Sequence, residues 1–117
     1  MYEKERIKNG SDDTEIANLG MCIAGYVYPR LVQFRKSHIG YPSCLEYFNS
    51  PYSSTDKYAE IYMEKWNLIL DKMIKAFHIY LYEMNDDWNT KEEYENLEEK
   101  CNEGMHLFAK YIGCLYI

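Results

Sequence analysis

Apolar residues recur at three- and four-residue steps along three stretches of the chain, a spacing that places them on one face of an α-helix. The first stretch carries Ile16, Leu19, Ile23, Val27, Leu31 and Phe34. Asp12 and Glu15 stand ahead of it with capping-box spacing, in which each side chain satisfies the other's unpaired backbone N–H. Pro29 falls inside the pattern. Its ring clashes with the carbonyl of Gly25, and the missing side chain at Gly25 accommodates a bend. One helix kinked at Pro29 is predicted over about residues 13–36. Tyr41-Pro42 prevents its continuation.

The second stretch reads Tyr58, Tyr62, Trp66, Ile69, Leu70, Met73, Phe77, Tyr80, Leu81 and Met84, with no Gly or Pro between residues 55 and 84. It predicts a helix over about 55–84, some 45 Å long. The third stretch, Tyr94, Leu97, Cys101, Met105, Phe108, Ile112 and Leu115, follows a Thr90/Glu93 capping box and predicts a helix over about 90–115. A short helical turn is expected near 43–48, and Asn49–Ser54 and Asn85–Asn89 read as loop and turn. Residues 1–10 end in Asn9-Gly10 and read as a loose N-terminal arm. Residues 11–117 form a single helical domain, and no stretch alternates as a strand would. The fold expected is all-α, an antiparallel bundle of three long helices.

The chain has 117 residues, 47% hydrophobic and 27% charged, with a net charge of −6. That is one globular domain's worth of chain. The acidic balance argues against binding of long nucleic acid, and no apolar run reaches the length of a membrane span. The charged N-terminus has no apolar signal core, so secretion by that route is not expected. Of Cys22, Cys44, Cys101 and Cys114, no two have the short spacing of zinc or redox motifs. Three read as reduced, buried thiols on helices. Aromatic residues occupy more than one face of the second helix (Tyr58, Tyr62, Trp66, Phe77, Tyr80, Tyr82). A small bundle cannot hide them all, and surplus apolar surface marks a partner surface, so a homo-oligomer is expected.

Catalytic and cofactor motifs are scarce. Glu103 and His106 have the Glu-x-x-His spacing of di-iron bundles, but only one copy occurs. There is no nucleophile elbow and no Gly-rich phosphate loop. The carboxylates of the third helix (Glu92, Glu93, Glu95, Glu98, Glu99, Glu103) read as a solvated face. No metal site and no cofactor is expected, and the balance leans away from an enzyme.

Residues 28–42 stand against the acidic background, because they contain Arg30, Arg35, Lys36 and His38 and no acid. Cations near a helix C-terminus are favoured by its dipole, which is a structural explanation. A functional one is an anion pocket, since arginine forks bind phosphate and tyrosine rings stack on bases. The candidate ligand-binding set is Tyr28, Arg30, Arg35, Lys36, His38, Tyr41 and Trp66. The chain's thirteen tyrosines would also suit a rigid contact surface.

Three stretches together resemble a group of small tailed-bacteriophage proteins. They are Ser11-Asp12-Asp13-Thr14-Glu15 leading to Tyr28-Pro29-Arg30-Leu31-Val32-Gln33-Phe34, then Gly40-Tyr41-Pro42, then Trp66…Leu70-Asp71-Lys72-Met73-Ile74…Phe77 with Glu103-Gly104…Leu107-Phe108-Ala109-Lys110-Tyr111. The resemblance covers about residues 11–117 and departs at Cys114-Leu115-Tyr116-Ile117, where the group has Leu-Trp. It carries over no activity and no catalytic residue. It implies phage origin and a host bacterial cytoplasm. Small phage proteins outside the virion often block host defence, some as helical oligomers that sequester nucleotide signals. The leading expectation is therefore such a non-enzymatic sponge. The alternatives are a protein–protein inhibitor of a defence enzyme, a virion or assembly protein, and a small signal-degrading hydrolase.

Overall fold

A computed structural model of the chain describes residues 2–11, 16–38, 40–42, 56–84 and 87–116. Every regular element among them is helical. A short helix, α1 (Tyr2–Asn9), is followed by α2 (Leu19–Ser37), α3 (Asp56–His78) and α4 (Lys91–Tyr111). A π-helical turn, Ile79–Glu83, extends α3, and a 3-10 turn, Ile112–Cys114, ends α4. The three long helices are those the apolar spacing predicts. Residues 2–9, expected as a loose arm, are helical. The Asp12/Glu15 box and the turn near 43–48 lie outside the described residues.

Local chemistry sets the helix ends. The Thr90 hydroxyl accepts from the Glu93 backbone N–H at 3.1 Å, and the Glu93 carboxylate accepts from the Thr90 N–H at 3.4 Å. Each bond satisfies a donor that the first turn of α4 leaves free. α2 closes with the His38 N–H on the Phe34 carbonyl at 2.9 Å.

α3 is the central helix, and α2 and α4 pack on it without approaching each other's backbones. Both pairs are antiparallel. Arg35 meets Asp71 and His38 meets Asn67, while Tyr28 lies farther along α3 beside His78. On the other side Trp66 meets Tyr111, and Lys72 meets Glu103. Tyr62, Trp66, Leu70, Met73 and Phe77 of α3 form the core with Ala24 and Leu31 of α2 and Tyr111 of α4. Burying side chains of this size stabilises the fold by about 1.5–3 kcal/mol each. The α3–α4 contact is the tighter one. Gly104 faces Ala76 and the Lys72 carbonyl so closely that a Cβ there would overlap both, and the Cys101 thiol donates to the Ala76 carbonyl at 3.6 Å.

Several expected core residues lie elsewhere. Ile16, Leu19 and Ile23 are half exposed or more, because α2 turns Ala24, Val27, Leu31 and Phe34 to the core instead. Ile112 is exposed and Tyr111 takes the buried place. In the π turn Ile79 is fully buried while Tyr80 is pushed outward. The wider turn shifts the register by which an α-helix would have buried Tyr80. Cys101 is buried, Cys114 half-buried and Cys22 exposed. The molecule measures 55 × 42 × 21 Å, and its short axis is about two helix diameters.

Candidate functional site

The charged residues of α2 are Arg30, Arg35 and Lys36, all in its second half. The Arg30 guanidinium lies 3.7 Å from the Tyr26 ring centroid and donates to the Tyr26 carbonyl at 2.9 Å. Stacking on an aromatic face fixes its plane without consuming all its donors. Arg30 stands at the lip of an apolar groove of about 230 Å3 between α2 and the end of α4, walled by Val27, Leu31, Phe34, Phe108 and Leu115. Arg35 donates through Nε to Asp71 at 2.9 Å, with both side chains substantially exposed. Lys36 is exposed.

His38, Gly40, Tyr41 and Pro42, where the chain leaves α2, form one wall of a second cavity. Trp66, Cys114 and Tyr116 complete it, and its volume is about 190 Å3. His38 is fixed on both ring nitrogens. Nδ1 lies 2.8 Å from the Gly40 carbonyl and Nε2 lies 2.7 Å from the Asn67 side-chain amide. An imidazolium donates to both oxygens, whereas a neutral ring donates to Gly40 and accepts from an Asn67 amide turned over. The ring also stacks on Phe34, 5.7 Å between centroids and 19° between planes. Tyr41 tilts against Tyr62 at 5.4 Å. Trp66 is 1% exposed and meets Tyr111 edge-on, so it serves the core first and offers the cavity only its rim.

The seven candidate residues are thus divided. His38, Tyr41 and Trp66 share the aromatic crevice. Arg35 and Lys36 stand within a turn of His38, and Arg30 belongs to the neighbouring groove. Tyr28 lies ten residues, about 15 Å of helix, from His38, half-buried against His78 and Tyr82.

Around Tyr28 is a cluster that apolar spacing and motifs do not reveal. The Glu83 carboxylate accepts from Lys75 Nζ at 2.9 Å and from His78 Nδ1 at 2.7 Å. These hydrogen bonds, that from Lys75 foremost, hold the Glu83 carboxyl below the usual carboxylate range. Residues five apart lie on different faces of an α-helix, and the π turn brings His78 and Glu83 together. On α4, burial pushes the Cys101 thiol up, aided by the nearby Glu98 charge, which disfavours the reactive thiolate.

Among the described residues, no three His, Cys, Asp or Glu side chains are placed to hold a metal ion. Glu103 accepts from Lys72 at 2.7 Å. No described helix is long and apolar enough to cross a membrane. No protein-family model, curated protein or solved structure matches the chain.

Proposed function

We propose that this chain is a phage-encoded, non-enzymatic binding protein that counters bacterial defence by sequestering a nucleotide-derived signal in the host cytoplasm. The observation that carries this reading is the aromatic crevice of His38, Tyr41 and Trp66 at the cationic end of α2. The resemblance to small tailed-phage proteins supports the phage setting. A cavity of about 190 Å3 is smaller than the roughly 300–1,000 Å3 that encloses a drug-sized ligand. It suits one planar ring, with the phosphates outside on Arg35 and Lys36. The exposed Arg35–Asp71 pair contributes at most about 1 kcal/mol, so its guanidinium is available to a phosphate that binds it bidentately.

The test is native mass spectrometry of protein purified from signal-producing cells, joined to calorimetric titration with cyclic di- and trinucleotides. A nucleotide released intact on denaturation is expected, as is binding weakened at least about tenfold by the double substitution Arg35→Ala, Lys36→Ala, the loss of two charge-assisted phosphate contacts. Ligand-free protein that binds none of these nucleotides would overturn the reading. A second reading, inhibition of a host defence enzyme, is favoured by the exposed carboxylates of α4 (Glu92, Glu95, Glu98, Glu99), which present the charge sign of nucleic acid. Capture of such an enzyme from host lysate, abolished by charge reversal on α4, would establish it.

A further inference from the structure

Residues 16–29 carry no charge, and most of them are exposed. A helix apolar on all sides is ordinarily buried on all sides. The first half of α2 is not. Ala24, Val27 and Leu31 face α3, while Leu19, Ile23 and Tyr26 are 50%, 51% and 62% exposed. These three recur at four- and three-residue steps, so they form a second apolar seam, roughly 100° around the helix from the first. Ile16, just ahead of the helix, is 58% exposed as well. The seam's C-terminal end reaches Tyr26 and Arg30, the lip of the groove between α2 and α4.

We infer that this seam docks on the same seam of a second copy of the chain, α2 against α2 in antiparallel orientation. Three observations select that occupant. The exposed side chains bare on the order of 500 Å2, so two copies would bury about 1,000 Å2, the lower bound for a specific interface. The four–three spacing is that of a helix–helix seam, and a two-fold contact sets the same seam of both copies together. The chain carries a net charge of −6, and this charge-free surface is where two copies meet with least repulsion. Orientation follows from charge as well. A parallel pair would set both copies of Arg30, Arg35 and Lys36 side by side, and an antiparallel pair moves them to opposite ends. In that arrangement Cys22 lies near the partner's Cys22. The inference rests on the fold and not on the nucleotide reading.

Sedimentation equilibrium of ligand-free protein tests it. The wild type is expected at twice the chain mass, and Leu19→Lys and Ile23→Lys at the chain mass with helical circular dichroism unchanged, since neither residue lies in the core. Leu68→Lys, an exposed apolar position on α3, should leave the dimer intact. A short bis-maleimide should link Cys22 to the partner's Cys22, identified by peptide mapping. A monomeric wild type, or a dimer that survives both α2 substitutions, would overturn the inference. Because no nucleotide is present, its failure is distinct from failure of the proposed function.

Discussion

The two sides of α3 are built differently. Toward α4, contact is backbone-close: Gly104 meets Ala76, Cys101 donates to the Ala76 carbonyl, and Phe77 packs edge-on against Phe108 at 5.1 Å. Toward α2, contact runs through longer side chains, Arg35 to Asp71 and His38 to Asn67, and the first half of α2 keeps much of its apolar surface in water. One side is finished as a protein interior is, with little room for an added methyl group. The other has the composition of an interior without the burial, as a surface reserved for a partner would.

The same substitution at a glycine inside the α3–α4 contact and at one on the solvent side of α2 calibrates how closely α4 is seated. Gly104→Ala should destabilise the fold by about 1–3 kcal/mol, because the new Cβ forces α3 and α4 apart. Gly25→Ala should stabilise it by up to about 1 kcal/mol, because a Cβ there meets nothing and alanine is the better helix former. Urea midpoints of the two variants should move in opposite directions, and a Gly104→Ala midpoint that does not fall would overturn the close α3–α4 contact.

A smaller effect, dependent on pH, probes where α2 and α3 meet at the π turn. The folded Glu83 carboxyl is held below its ordinary range. Its contribution to stability is therefore in place above the unfolded glutamate value, about 4.3, and is lost as pH falls through the lowered value. Wild-type melting temperature should drop more steeply over that window than that of Glu83→Gln. The smallest effect is expected at the exposed pair, where Arg35→Ala should cost no more than about 1 kcal/mol of stability even while it weakens anion binding.

Much of the fold is legible along the chain. The Thr90/Glu93 box, the uninterrupted run from Asp56 to His78 and the periodic apolar residues of α4 mark the helices through local hydrogen bonding and spacing. The candidate site was legible only in part. Arg35, Lys36, His38 and Tyr41 are neighbours in sequence and remain so in space, whereas Trp66 joins them only because α3 packs antiparallel to α2. Tyr28 and Arg30 are close in sequence but diverge around the helix, one toward His78 and the other toward Phe108. The His78–Glu83 pair left no periodic signal, because it depends on a turn that departs from the α-helical period.

By itself the sequence determined the three long helices, the capping box of α4 and the uncharged first half of α2, since these follow from interactions between residues a few places apart. Which face of each helix is buried was decided by the tertiary structure. Ile16, Leu19 and Ile23 have the spacing of core residues as surely as Leu31 does, and periodicity cannot distinguish two apolar faces on one helix. Only the docking of α2 on α3 separates them, because the direction of approach determines which side chains lose their water.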